Sequence, residues 1–397
     1  MGGQMFFNDY LGKLDSKSEQ GNWLFGDGIK LSSGESVIPT LNGQYTNMAE
    51  VLPFGGGGTL VTQTLDNTVM LRWVHRAGAW AVKPFASFKN EMLTISKTEA
   101  LDTGLLDSDQ GGAGVELEWK GRRHFKSVRQ DLSWDRTVFY HYNPQSPINP
   151  LFGQELLQNG EALNFDSYSY ELSVDEAPDA PTLLSASLGL SYLYYPDQQV
   201  FSGPPSPGSS LPLGELPSQP TSQKRVDYMD TATVGATRRW AGSWGSRPWS
   251  GSAGLTAGYV GLNSNQNDFD LLQSNSTQPH INMNYYSYDE FSAGPILNFT
   301  LGGGWLANLS YNYAFRAYRD RPVQNADGIY PTTMSAAATI NTNTQTLSYS
   351  LACPLTKRWS FQASGGYVGA TSNTQFDKFY LYSYSYLYYF AGFGVAL

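Results

Sequence analysis

Along most of this chain apolar and polar side chains alternate at every step, in segments of about ten residues. In 305–319 the odd positions are Trp305, Ala307, Leu309, Tyr311, Tyr313, Phe315 and Ala317, and the even positions are Leu306, Asn308, Ser310, Asn312, Ala314 and Arg316. Successive side chains of a β-strand point to opposite faces, so such a segment separates an apolar medium from water. The same split recurs in 112–120, 125–140, 183–194, 249–259 and 290–301. In 183–194, for example, Leu184, Ala186, Leu188, Leu190, Tyr192 and Tyr194 oppose Ser185, Ser187, Gly189 and Ser191.

Composition decides which apolar medium is meant. Aromatic residues make up 14% of the 397, charged residues only 15%, and 41 positions are glycine. Soluble domains carry roughly 25% charge. No stretch approaches the roughly 18 consecutive apolar residues of a membrane-spanning helix, and the mean hydropathy is −0.35. Low charge without an apolar block is the composition of a membrane β-barrel, in which half of each strand faces water. The alternation predicts an all-β, transmembrane, antiparallel up-and-down barrel of about fourteen strands, with sixteen as the alternative. The predicted strands are 37–49, 59–75, 79–96, 112–120, 125–141, 163–175, 183–196, 226–239, 249–261, 284–300, 304–320, 343–355, 359–371 and 382–397. Residues 1–36 are expected as a periplasmic N-terminal segment with room for two further strands, and 37–397 as the barrel.

The connections alternate too. Short ones at 75–79, 120–124, 176–181, 301–304 and 354–358 interleave with long polar ones at 97–111, 142–162, 197–225, 262–283 and 321–342. Short periplasmic turns and long external loops are the rule for bacterial barrels, and this phase sets both termini on the periplasmic side. The proline-rich 197–225 reads as an external loop, with a domain linker as the competing reading. The N-terminus has no basic stretch followed by an apolar run, so the outer-membrane reading expects a secretory leader to have been removed. A single cysteine, Cys353, suits an oxidising periplasm, and a net charge of −9 argues against nucleic acid as a partner.

The chain ends on AGFGVAL, in which Tyr389, Phe393, Val395 and Leu397 point one way and Gly392 the other. This pattern resembles the C-terminal signal read by the barrel-assembly machinery, though the usual final Phe or Trp is missing. The tyrosine-rich run before it, with Tyr384, Tyr386, Tyr388, Tyr389 and Phe390, is expected as an aromatic girdle at a headgroup boundary. Two upstream runs, YRDRPVQNADGIY from Tyr318 and TSNTQFDKFY from Thr371, together with this last strand resemble a broad group of bacterial outer-membrane β-barrel porins. The resemblance covers only about the last hundred residues. It implies a channel or a scaffold beside envelope secretion machinery and fixes no substrate.

Chemistry-bearing sets are scarce. The four histidines, His75, His124, His141 and His280, have no serine, cysteine or carboxylate at a catalytic spacing. The glycine run 55–58 lacks the Gly-Lys-Ser/Thr of a P-loop. Oxygen-rich 263–270 offers a Ca²⁺ reading, against which a solvated loop is favoured. No enzyme, cofactor or metal is expected. Alternation directs Lys83, Lys89, Glu91, Glu116, Glu118, Arg129, Asp131, Asp135, Glu171, Asp175, Glu290 and Arg316 to the lumen, because a Lys or Arg facing lipid at mid-depth costs roughly 2–4 kcal/mol. They would line a hydrated pore with at most weak cation preference, or pair across the lumen and close it. The favoured function is a non-enzymatic channel for small solutes or an exported polymer. The alternative is a sheath or anchor holding an envelope partner protein (a secretion component, a lipoprotein or an electron-carrying cytochrome) inside or beneath the barrel. Outer-membrane lipid is the surrounding partner in either case.

Overall fold

The computed structural model describes residues 2–9, 17–51, 59–94, 106–121, 125–141, 163–176, 181–203, 219–270, 280–326, 338–356, 358–375 and 383–395. These residues form β-strands and no helix: β1 (Gly2–Asp9), β2 (Lys17–Gly26), β3 (Ile29–Lys30), β4 (Glu35–Val51), β5 (Thr59–Ala77), β6 (Trp80–Thr94), β7 (Ser108–Lys120), β8 (Phe125–Phe139), β9 (Phe165–Glu176), β10 (Thr182–Gly203), β11 (Gln219–Trp244), β12 (Arg247–Ser264), β13 (Asp268–Asp270), β14 (His280–Asn282), β15 (Tyr288–Leu301), β16 (Trp305–Pro322), β17 (Thr339–Pro354), β18 (Trp359–Ser372) and β19 (Tyr384–Val395). Leaving aside the short β3, β13 and β14, sixteen long strands among the described residues pair with their sequence neighbours, all antiparallel, in one up-and-down sheet. β3 continues β2 along β4, and β13 and β14 form a separate small hairpin. The first and last strands, β1 and β19, lie side by side. Among the described residues no backbone register joins them, so the barrel seam is a close approach rather than a ladder.

The sixteen-strand alternative therefore holds. Residues 1–36, expected apart from the barrel, contribute β1, β2 and β3 to the sheet itself. The other difference is length. β10 and β11 run to Gly203 and from Gln219, well past the predicted ends at 196 and 226. The rest of the proline-rich loop, the glycine run 55–58, His124 and Leu397 lie outside the described residues.

The two-residue turns fall at one end of the sheet and the long connections after β6, β8, β10, β12 and β16 at the other, with both described ends of the chain, Gly2 and Val395, at the short-turn end. Two of the short turns have two residues each: Ala77 pairs with Trp80, and Trp244 with Arg247. The first loop residue is glycine with positive φ in each case, 64° at Gly78 and 62° at Gly245. Glycine at that place is the signature of a type II′ hairpin turn, whose twist matches that of the strands. A Gly245→Ala substitution meets open space but keeps the unfavourable φ. The expected loss is about 1–2 kcal/mol, read as a lower urea midpoint for unfolding from lipid vesicles.

The packing is the reverse of a soluble domain. Among the described residues only six apolar side chains are buried (Val74, Ala81, Val200, Ile340, Cys353 and Ala370), while large apolar residues such as Leu184, Val234, Leu255, Phe291 and Trp305 stand exposed. A contiguous apolar surface of this extent marks a non-aqueous neighbour.

Candidate functional site: the inner wall of the barrel

Strand register carries a single face from β6 to β19. Lys83 stands opposite Glu116, Glu116 opposite Asp131, Asp131 opposite Glu171, and Glu171 opposite Gly189. From β10 the same face continues through Ser185 and Gly235, then Arg239 and Ser252, Asn298, Asn308 and Ser350 to Ser364 and Phe390. Paired residues point the same way, so all of these line one surface. The opposite surface is apolar.

That apolar surface has two aromatic belts. Eight of the ten tryptophans (Trp73, Trp80, Trp119, Trp240, Trp244, Trp249, Trp305 and Trp359) lie within five residues of a short turn, all on this face. Nearer the long loops, Trp134, Tyr168, Tyr192 and Tyr228 make one cross-strand row and Tyr259, Phe291 and Phe315 another. Ring centroids are 6.0 Å apart for Tyr168–Tyr192 and 5.1 Å for both Tyr192–Tyr228 and Tyr259–Phe291. On β12, Trp249 and Tyr259 are ten residues apart. At about 3.3 Å per residue and a strand tilt near 40°, that separation is about 25 Å along the barrel axis, the height of the apolar band of a membrane barrel. The outer face is thus built for lipid, and the polar face is the lumen.

All twelve charges expected inside fall on the polar face, where most of them pair. Lys83 on β6 bridges Glu116, bonded directly, and Glu118 at 2.6 Å on β7. Arg72, which sequence reasoning passed over, reaches across β6 to Glu116 at 3.8 Å. Lys89 joins Glu91 at 2.5 Å and Asp66, also passed over in the sequence, at 3.8 Å. Arg129 sits 3.4 Å from Asp131, and Arg316 is 2.7 Å from Glu290 with its guanidinium 4.3 Å from the Tyr288 ring centroid. Asp135, Glu171 and Asp175 have no basic partner among the described residues.

The wall is lopsided. Inward charge is concentrated on β5–β9; on the paired positions of β10–β19 it is limited to Arg225, Asp227 and Arg239 of β11 and the Glu290–Arg316 pair near the long-loop end. The middle of β10–β19 carries Ser187, Gly189, Ser191, Thr231, Thr233, Gly254, Thr256, Ser292, Asn308, Ser310, Thr346 and Ser348 on this face and no charged side chain.

The last strand departs from expectation. Tyr389 and Phe393 face outward, at 57% and 68% exposure, with Gly392 on the inner side. Tyr384, Tyr386, Tyr388 and Phe390 are on the inner face, paired with Ala370, Val368, Gly366 and Ser364. They do not belong to a headgroup girdle, because successive residues of a strand face opposite media and these four share the polar face with Gly392, opposite the outward Tyr389. Val395 pairs with Trp359 at the end of the ladder.

At the long-loop end, the oxygen-rich 263–270 is expected from its sequence to be a solvated loop, but its 264–267 part is folded onto the sheet. Ser264, Gln266 and Asn267 are buried. The Asn265 Oδ1 accepts from the Val226 amide at 2.8 Å, and the Asn267 Oδ1 from the Asn284 amide at 3.0 Å. Among the described residues no group of acidic, histidine or cysteine side chains could hold a metal ion. The cap is fixed by Arg225, whose guanidinium lies 4.4 and 4.5 Å from the ring centroids of Tyr195 and Tyr286. It donates to Asp227 at 2.8 Å and to the Gln198 Oε1 at 3.1 Å. Arg321 lies similarly over Tyr285 and Tyr318, at 3.6 and 4.3 Å. Of the histidines, His75 is 3.4 Å from Glu35 near a short turn, and His141 packs edge-on to Tyr140 at the loop end.

No family model matches the chain. No curated protein matches it either. Among solved structures, the chain is similar to a mutant of the ferric enterobactin receptor PfeA from Pseudomonas aeruginosa. The identity is 13%, over 98% of this chain and 71% of that one, with a TM-score of 0.44. It is similar to OmpT, an outer membrane protein of Vibrio cholerae, at 10% identity over 92% of this chain and 98% of that one, with a TM-score of 0.35. It is similar also to the copper transporter OprC, at 9% identity and a TM-score of 0.37, over 93% of this chain. The chain spans 61% of the length of OprC.

Proposed function

We propose that this protein is a non-enzymatic channel of a bacterial outer membrane, with the long loops outside and the short turns in the periplasm. The observation that carries this reading is the pairing of a lipid-adapted outer face with an inner wall of hydroxyl, amide and glycine residues over half its circumference. Barrels of about eight strands are filled by their own side chains, whereas those with 16–18 leave an aqueous channel. Sixteen strands support the second class. The ion pairs of β5–β9 lie within a strand or link strands one or two apart along one wall, so they line that wall and leave the passage hydrated. The test is single-channel recording of the purified, folded protein in planar bilayers. Stepwise openings are expected, and a folded barrel that never conducts overturns the reading.

Charge placement sets the expected selectivity. With Asp135, Glu171 and Asp175 unpaired by basic groups among the described residues, the reversal potential in a KCl gradient should show cation preference. Asp135→Asn combined with Glu171→Gln should move the cation-to-anion permeability ratio toward one. Anion preference in the unmodified protein would contradict this account of the wall.

A further inference from the structure

The inner aromatic stripe of β19 is unexplained by ion passage. Tyr384, Tyr386 and Tyr388 succeed one another along the strand with ring centroids 6.1 and 6.3 Å apart, the first two rings within 13° of parallel. Phe390 continues the row, and Tyr386 is 52% exposed on the lumen side. The stripe runs from the long-loop end toward the short-turn end, along the direction of transit. The Tyr388 hydroxyl crosses Gly366 of β18 to lie 3.3 Å from the Ser348 Oγ of β17, which holds the ring against the wall. Beside the rings, β17 and β18 offer neutral hydroxyls and amides, among them Ser348, Ser364 and Gln362, and no inward charge.

We propose that this stripe is a binding track for a neutral oligosaccharide, a refinement that rests on the channel reading above. A pyranose ring has an apolar C–H face and a rim of hydroxyls. Exposed tyrosine rings match the face, since aromatic surfaces gain from close apolar contact while a tyrosine hydroxyl keeps a polar partner. The serine, glutamine and tyrosine polar groups beside them match the rim. The absence of inward charge here favours a neutral sugar over an acidic one. Repetition of rings along the strand lets a chain shift by one unit while it keeps contact, so binding stays compatible with movement.

Two measurements on the detergent-purified full chain test this, with maltohexaose and cellohexaose as probes: calorimetric binding, and block of single-channel current. Saturable binding and reversible block by at least one probe are expected. Tyr386→Ser and Tyr388→Ser should each weaken binding roughly tenfold, Tyr386→Phe should retain most of it, and the outward Leu387→Ser should leave it unchanged. Conductance without binding or block by either sugar overturns the track and spares the channel. Calorimetric binding lost in the tyrosine variants, in a protein that never conducts, supports the track and overturns the channel. Binding that survives Tyr386→Ser and Tyr388→Ser, or that is confined to charged sugars or aromatic amphiphiles, overturns the proposal.

Discussion

Leu255→Arg should cost the barrel about 2–4 kcal/mol of stability in a bilayer, while Thr256→Arg, one residue later, should leave stability within about 1 kcal/mol of the original. Leu255 lies near the middle of the interval between Trp249 and Tyr259, on the lipid face, and is 58% exposed. A guanidinium there has no water within reach except by deforming the bilayer. Thr256 points to the lumen, and its cross-strand neighbours are Gly235 and Gly294, so a long side chain finds room and water. Urea unfolding from phosphatidylcholine vesicles measures the first effect. The second variant should instead reduce the cation preference of the current. Equal destabilisation by the two would mean that the faces are wrongly assigned.

Arg225→Met is expected to have the largest effect outside the apolar band, about 3–5 kcal/mol. The side chains of Arg225 and Asp227 are 11% and 5% exposed. Removing the guanidinium leaves the Asp227 carboxylate buried without its counter-charge, and it leaves the Gln198 Oε1 without its donor. Methionine fills the space between Tyr195 and Tyr286, so the loss is electrostatic rather than one of volume. Lysine should not restore the site, because one ammonium cannot reproduce the planar contact with two rings and the fork to the carboxylate. Adding Asp227→Asn to Arg225→Met should recover part of the loss. Hydrogen exchange gives a local readout: the amides of Val226 and Ser264, bonded to Asn265 and Ser287, should exchange faster when the cap loosens. Unchanged exchange in Arg225→Met would show that the cap is held by other contacts.

Where alternation was strong, the strands were legible residue by residue. In β16 and β10 the apolar and polar sets are those of the outer and inner faces. In β2, by contrast, the outward set includes Gly21 and turns aromatic only at Trp23 and Phe25, and the exposed Leu24 lies on the inner side. A strand with so little contrast between its faces is defined by the neighbours it pairs with, here β1 and β4. That is why a count of fourteen gave way to sixteen. Arg72 and Asp66 were missed for a related reason: their strand was read as a unit, and its inward positions were not followed. The inner tyrosine stripe could have been found from parity alone, since Tyr388 and Phe390 are in step with Gly392.

By itself, the sequence determined the class of fold, the face of each residue in a patterned strand, and the end at which the turns gather. These follow from a local rule, the two-residue period of a strand, which needs no knowledge of the partner. The tertiary structure decided how many strands there are, which inward charges neutralise one another, and that inward charge gathers on one side of the wall. It also decided that the oxygen-rich segment after β12 is a buried cap. Those features depend on register between strands distant in sequence and on loops folding back onto them, and no local period encodes either.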